Sequence, residues 1–202
     1  MKKLIIITII LLPLFASGCA SRNRYDWAPG TIAVLPFTNE TADVAVQTFV
    51  RFGMYRRLEN YGHRVVSLEV IDAKLDELGI TEGGQLPTIS IEELAEHIDA
   101  DTFMYGEVLE AKRLMLGVYY KKKLTARFTL FDGYSGKQLW EVQKTAEESK
   151  VAINPDDLLK TAMRKFAWET SMDAAAKMFN SHPLMGQIEE VVNYAVRKLP
   201  RP

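Results

Sequence analysis

The single cysteine of the chain is the residue best placed for covalent chemistry. Cys19 follows three small residues, Ala-Ser-Gly, which leave room for a peptidase to cut just before it. Two lysines at the start of the chain precede an apolar run over residues 4–15. A run of about 12 apolar residues is too short for a membrane-spanning helix, which needs about 20. The pattern therefore predicts a cleaved signal peptide over residues 1–18.

The sequence around Cys19 resembles the lipobox of bacterial lipoproteins, whose signal is cut before a cysteine that then carries lipid. Ala16 departs from that pattern, in which leucine is commoner. The alternative is an ordinary secretory signal with an incidental cysteine. We expect Cys19 to be acylated, with palmitate among its chains. Ala20 stands where aspartate is the usual inner-membrane retention signal, so we expect the periplasmic face of the outer membrane.

Composition limits the classes of partner and site. The chain has 25 Lys+Arg against 26 Asp+Glu, a balance that favours neither nucleic-acid binding nor attraction to anionic lipid. Acylation of Cys19 would use the only thiol, which excludes disulfides and cysteine-based metal sites. The length and a hydrophobic content of 48% suffice for one domain with a sizeable core.

No catalytic or metal-binding motif is recognisable. His63, His97 and His182 fall in different predicted elements, and we interpret them as surface or helix-end residues, although a histidine–carboxylate site stays open. Gly83-Gly84 lacks the lysine that follows in a phosphate-binding loop. Ser135 lies in a predicted hairpin turn rather than between a strand and a helix. We expect no enzyme activity, no metal and no cofactor.

One short segment mixes aromatic and basic residues. Tyr119-Tyr120-Lys121-Lys122-Lys123 could contact a glycan, an anionic polymer or lipid headgroups. The alternative is a solvated hairpin edge whose lysines prevent pairing with another chain.

Apolar patterning and capping residues position these groups on secondary structure. In the first half of the chain, the pattern predicts a buried strand over 31–37 and a helix over 42–60, with cap oxygens at Thr38-Asn39-Glu40-Thr41. A strand over 64–66 and a helix over 69–78 follow, and the helix should direct Val70, Ala73 and Leu78 inward. A loop is predicted over 81–90 and a further helix from Ser90 to Ile98.

The second half predicts a three-stranded meander and two helices. The strands cover 101–112, 123–132 and 137–145; the helices run over 154–179 and 184–199. Leu124, Ala126, Phe128 and Leu130 alternate with polar residues, as in a half-exposed antiparallel strand. The order of elements implies a single α/β domain with a mixed, largely antiparallel sheet flanked by helices. Its core would span 31–148, after a short arm over 19–30, and residues 149–202 would pack on it.

Three segments resemble one superfamily, that of the TolB amino-terminal domain and the curli-secretion lipoprotein. They are Ile32–Thr41, the strand Ala100–Val108 with an "ADxxxxGxV" pattern, and the hairpin Leu130–Trp140 with an "LxDxxTGxxLW" pattern in which Ser135 replaces threonine. Outer-membrane lipoproteins of unknown function share this domain. The resemblance covers about residues 30–148. It implies a domain that binds partners or assembles, without an active-site motif to carry over.

Three hypotheses about the function of the protein follow. The first is a non-enzymatic, lipid-anchored periplasmic protein that binds an envelope partner and assists transport, secretion or envelope assembly. The second is a secretion-channel subunit or an activator of a cell-wall synthase. An envelope hydrolase is the third.

Surplus apolar surface suggests self-association. The helix over 42–60 has two apolar faces, and the final helix offers another stripe. Large leftover apolar patches usually mark an interface. We therefore expect at least a dimer; the alternative is that both stripes are buried within one chain.

Cys19→Ser tests the anchor. Because serine cannot form the thioether that carries the lipid, this variant should lose acyl labelling and accumulate as precursor, or as a soluble form if another peptidase cuts. Metabolic labelling with a clickable palmitate analogue measures it. Unchanged labelling would contradict the assignment of Cys19.

Ala20→Asp tests the sorting signal. In a Gram-negative host this variant should move from the outer to the inner membrane, as measured by density fractionation of the envelope. Ala20→Ser, which keeps a small uncharged residue there, is the matched control. Wild-type protein in the inner membrane would refute the outer-membrane assignment.

Overall fold

The computed structural model describes residues 28–116, 119–151 and 182–201. The signal peptide, Cys19, Ala20 and the helix expected over 154–179 lie outside the described residues. Within the described ranges, no helix is long and apolar enough to cross a membrane.

A six-stranded mixed sheet organises the fold. Its strands are β1 Thr31–Val34, β2 Thr38–Asn39, β3 Arg64–Val65, β4 Thr102–Leu116, β5 Tyr119–Asp132 and β6 Gln138–Val151. The order is β3-β1-β4-β5-β6, with β2 also beside β4. β1 pairs in parallel with β3 and β4, whereas β4, β5 and β6 form an antiparallel meander. The expected mixed, largely antiparallel sheet is confirmed.

Helices pack on both faces of this sheet. They are α1 Val46–Asn60, α2 Leu68–Glu77, a 3₁₀ helix Gly83–Thr88, α3 Ile91–His97 and α4 Met185–Lys198. One apolar cluster joins α1 and α4 to one face, and a second joins α2, α3 and the 3₁₀ helix to the other. The domain is therefore three-layered around β1 and the start of β4.

The two stripes expected to mediate self-association are largely used inside the chain. The buried face of α1 consists of Val46, Val50, Met54 and Leu58, and it shares one cluster with the buried residues of α4 (Ile188, Val191, Val192, Ala195, Val196). Phe49, on the second face of α1, packs against the same cluster. The helices thus cover each other, and the surplus-surface argument for a dimer fails.

The start of α1 corrects a prediction. The helix begins at Val46 rather than near Ala42, and Ala45 caps it without a side-chain hydrogen bond. The cap oxygens are occupied upstream: Asn39 Oδ1 accepts from the backbone N and the Oγ1 of Thr41 at 3.0 and 2.8 Å. Thr41 Oγ1 in turn accepts from the backbone N of Asp43 at 3.2 Å. These turns hold the chain in a loop, because such side chains compete with the helix for backbone groups.

The orientation of α2 also differs from the prediction. Ile71 and Leu75 are its buried residues, whereas Val70 is 51% exposed and Ala73 faces solvent. Residues four apart lie on one helical face, so Ile71 and Leu75 form a consistent stripe that Val70 cannot share. The segment expected to be loop over 81–90 contains the 3₁₀ helix, which is opened by a capping box between Glu82 and Gln85.

The meander strands are longer than predicted at one end. β4 continues to Leu116, β5 begins at Tyr119, and β6 reaches Val151, past the expected core boundary at residue 148. Residues 110–116, 119–125 and 145–151 form the part of the meander that we call the sheet extension.

Gly83 and Gly84 give a matched pair for testing the packing of the 3₁₀ helix. A Cβ at Gly83 would lie 2.6 Å from the backbone carbon of Phe37 and 2.7 Å from Pro36 O, whereas one at Gly84 would meet nothing within 4 Å. Gly83→Ala should lower the free energy of unfolding by about 1–3 kcal/mol, and Gly84→Ala should change it by less than about 1 kcal/mol. Urea unfolding measures both. Equal effects would show that the close approach at Gly83 is not what constrains the segment.

Candidate protein-binding surface

One face of the meander is left partly uncovered by the helices of the described ranges. α2, α3 and the 3₁₀ helix cover β1 and the start of β4 on this side. Farther across, the same side of β5 and β6 carries half-buried or exposed polar residues, among them Arg127, Thr129, Glu141 and Gln143. We call this side of β4, β5 and β6 the open face. It has three zones that follow one another along the strands.

The zone nearest the helices is an aromatic groove of about 540 Å³. Tyr105 and Phe131 line it with their rings edge to face and their centroids 5.2 Å apart. Burial raises the pKa of Tyr105 to about 12, so its phenol is neutral at physiological pH. Ile89 and Ile91 close the groove from the helical side.

The middle zone consists of ion pairs between neighbouring strands. Lys123 Nζ lies 2.6 Å from Glu110 Oε2, and Lys112 Nζ lies 2.9 Å from Glu110 Oε1. Hydrogen bonds from Lys123 and then Lys112 lower the pKa of Glu110 to about 2, so its carboxylate is charged throughout the physiological range. Lys121 Nζ pairs with Glu147 at 2.7 Å, and this hydrogen bond raises the pKa of Lys121.

These pairs decide how the Tyr119–Lys123 segment is interpreted. β5 is hydrogen-bonded to β4 and to β6 on its two sides, so its lysines do not protect a sheet edge, and the hairpin-edge interpretation is wrong. Lys121 and Lys123 are neutralised by carboxylates on the adjacent strands. A lysine already paired in this way is a poor ligand for an anionic polymer.

The outermost zone is apolar. Leu116 is 61% exposed, Val151 54% and Leu114 45%, and all three lie on the open face at the end of the sheet extension. Tyr119 stands between Leu116 and Val151 in the same cross-strand row. We call Leu114, Leu116, Tyr119 and Val151 the apolar end. Three adjacent strands contribute to it, so no single stretch of sequence displays it.

The histidines serve packing rather than a shared site. His97 is exposed at the end of α3, as expected. His63 and His182 lie beside helix ends but are buried, at 6% and 8% exposure, which corrects the surface interpretation. His182 Nδ1 accepts from the backbone N of Leu184 at 3.2 Å, and its Nε2 lies 3.3 Å from Asp43 Oδ2. The imidazole therefore joins the loop before α1 to the start of α4.

The other candidate catalytic groups have structural partners. Ser135 Oγ donates to Asp132 Oδ1 at 2.7 Å within the hairpin turn, and the hydrogen bonds from Ser135 lower the pKa of Asp132. Glu92 and Glu93 occupy the first turn of α3, where acidic residues complement the helix dipole. Among the described residues, no group of three His, Cys, Asp or Glu side chains could hold a metal ion.

A polar crevice opens at the carboxyl ends of β1 and β3, which sequence reasoning missed. It measures about 970 Å³ and lies between α1 and α2. These two helices pack on opposite faces of the sheet. Arg51 spans its floor, with Nε donating to Val34 O at 3.1 Å and Nη2 lying 2.7 Å from Asp72 Oδ1. Arg51 is thereby committed to holding the two helices against β1.

The sequence matches the profile of a lipoprotein family named GNA1162-like over residues 24–183. No curated protein matches the chain.

Several solved structures are similar to this chain. The crystal structure of the lipoprotein GNA1162 from Neisseria meningitidis is 22% identical and covers 69% of this chain and 99% of its own, with a TM-score of 0.57. The hypothetical protein CT253 from Chlamydia trachomatis is 20% identical, covering 85% of this chain and 95% of its own, with a TM-score of 0.47. The PelC dodecamer from Paraburkholderia phytofirmans is 13% identical, covering 86% and 91%, with a TM-score of 0.46. The first of these likenesses supports the fold.

Proposed function

The chain belongs to the GNA1162-like lipoprotein family, and from that premise we propose that it is a non-enzymatic accessory protein of the bacterial envelope. It is held by lipid at Cys19 on the periplasmic face of the outer membrane, and it binds an envelope protein through the open face. Its role is to support a transport, secretion or envelope-assembly complex.

The apolar end carries this proposal. Burying a Leu or Val side chain contributes about 1.5–3 kcal/mol, so three such side chains exposed together favour contact with another apolar surface. The neighbouring lysines are already engaged by Glu110 and Glu147, which argues against a nucleic acid or an anionic polymer as the partner. A protein surface with an apolar centre and a mixed polar rim is the complement that fits.

The anchor keeps the domain as a whole close to the membrane. Eight residues lie between Cys19 and Ala28, where the described chain begins, so the nine Cα–Cα steps from Cys19 to Ala28 span at most about 32 Å. A partner held in the same membrane would then meet the open face at a raised effective concentration. A secretion-channel subunit or an activator of a cell-wall synthase would use the same surface, so the identity of the captured partner separates these roles.

The absence of enzyme activity is part of the proposal. His182 is engaged by Asp43 and Leu184, and Ser135 by Asp132, so neither is arranged as a base or a nucleophile. A peptidoglycan-hydrolysis assay with the purified lipoprotein tests this directly. Turnover above that of a heat-denatured control would overturn it.

Site-specific photocrosslinking tests the partner surface. A photoreactive amino acid at Leu116 should give a covalent adduct with one envelope protein in intact cells, identified by mass spectrometry. The same amino acid at Val70 is the control, because Val70 is 51% exposed but lies on α2, away from the open face. Leu116→Glu, probed with the photoreactive group at Val151, should weaken the adduct by about tenfold or more, since it places a charge in the apolar contact.

The adducts discriminate among the alternatives. An adduct at twice the protein's own mass, together with a dimer in sedimentation of the lipid-free body, would mean that the apolar end binds a second copy. No adduct at Leu116, or equal adducts at Leu116 and Val70, would contradict a specific partner at this surface.

A further inference from the structure

A cluster of basic residues at the opposite end of the domain differs from the lysines of the open face. It comprises Arg57 at the end of α1, Arg64 in β3, and Arg197, Lys198 and Arg201 at the end of α4. In the middle zone of the open face, each lysine pairs with a glutamate. Within the described ranges, by contrast, none of these five residues has a carboxylate within ion-pair distance. Within the described ranges, none of the five is therefore engaged by a direct ion pair, although the chain as a whole has nearly balanced charge.

A concave site lies within this cluster. A pocket of about 550 Å³ is lined by Tyr61, His63, Arg197 and Arg201, with Val196 and Leu199 at its apolar wall. Arg197 Nε donates to Tyr61 Oη at 3.2 Å, and Arg57 stacks over the Tyr61 ring at 4.7 Å. The hydrogen bond from Arg197 and then that from Arg57 lower the pKa of Tyr61. The pocket thus presents the Arg197 guanidinium, which the Tyr61 phenol holds in place, beside the Arg201 side chain.

One residue of the pocket lining, His63, has a buried polar atom without a partner among the described residues. His63 is only 6% exposed, and its Nδ1 has no hydrogen-bond partner among the described residues. Arg57 Nε is likewise buried and unpartnered within that part of the chain. Buried polar groups are nearly always hydrogen-bonded, so Arg57 Nε lacks an acceptor and His63 Nδ1 lacks a hydrogen-bond partner within the described chain.

Helix dipoles explain only part of this cluster. Arg57, Arg197 and Lys198 lie in the last turns of helices, where cations are favourable. Arg64 and Arg201 lie outside both helices, and the dipole gives no reason for a cavity or for an unpartnered imidazole nitrogen. The cluster therefore requires a further explanation.

The position of the pocket suggests where an acceptor comes from. α1 and α4 run side by side in the same direction, because His182 contacts Asp43 at their starts and Arg197 contacts Tyr61 at their ends. The pocket consequently lies at the edge of the sheet where β1 begins, and Thr31 is in register with Arg64 there. The described chain begins, at Ala28, at this same edge.

We propose that this pocket binds the phosphate group of a membrane phospholipid headgroup. Guanidinium forks match phosphate oxygens in geometry and charge, and an imidazole N–H at His63 would supply a buried donor. The choice of a lipid source rests on the proposed anchoring at Cys19, whereas the phosphate chemistry does not. Bound in this way, the headgroup would orient the domain with its sheet extension directed away from the membrane.

Titration of the purified lipoprotein in nonionic detergent tests the site. The probes are inorganic phosphate, dihexanoyl phosphatidic acid and dihexanoyl phosphatidylcholine, and the readout is the NMR signal of the His63 imidazole. We expect the His63 signal to shift with inorganic phosphate and with the phosphatidic acid, saturating at lower concentration for the lipid. Arg201→Gln and Arg197→Gln should each raise the apparent Kd about tenfold or more.

Arg113→Gln is the matched control, because Arg113 is an exposed arginine on the sheet extension, remote from the pocket. Equal weakening by Arg113→Gln, or no shift of His63 with any probe, would overturn the proposal. Binding of inorganic phosphate without binding of the phosphatidic acid would overturn the lipid source. A failure of Cys19 labelling would remove the anchor but leave the phosphate titration unaffected, so the two hypotheses fail separately.

Discussion

The close packing around Phe37 is the constraint on which the other layers depend. Its backbone lies against Gly83 of the 3₁₀ helix, where a single added carbon would come within 2.6 Å. Its ring covers Gly106 in β4 and contacts Phe128 in β5, with ring centroids 5.8 Å apart. Phe37, which follows shortly after β1, therefore fixes the distance between the sheet and both helical layers. Two glycines are required because no side chain fits between Phe37 and the strands and helix that it joins.

Local patterns in the sequence predicted the elements whose environment is uniform. The alternation of Leu124 to Leu130 is that of a strand with one buried face, and all four apolar residues are buried. The final helix was predicted within one residue at each end, because its apolar stripe faces a single cluster. The errors came from competition between local alternatives. Asn39 and Thr41 are residue types that favour helix caps, yet here they hydrogen-bond to each other in the loop before α1. Only the tertiary position of β2 beside β4 explains why that loop persists.

The candidate surfaces were harder to predict than the fold, since they combine residues that are distant in the sequence. Lys121 and Lys123 look like an exposed basic run until Glu147 and Glu110 are brought beside them by strand pairing. Leu116 and Val151 are separated in the sequence by β5 and most of β6, and neither residue alone indicates a binding surface. His63 carried no local signal, because its burial is produced by α1 and α4 together. Periodicity reports which face of one element is apolar, and it contains no information about charge partners on other strands.

The packing of α4 has a consequence for the order in which the chain can fold. The stripe of α1 is completed by residues that lie about 140 positions later, and β5 and β6 pack on the same final helix. Contacts between such distant segments form late, because the loop between them must close first. During synthesis, the main core is missing one wall until α4 has emerged. A chain whose core closes late stays unfolded for longer, which suits the export across the inner membrane that the proposed anchoring at Cys19 requires.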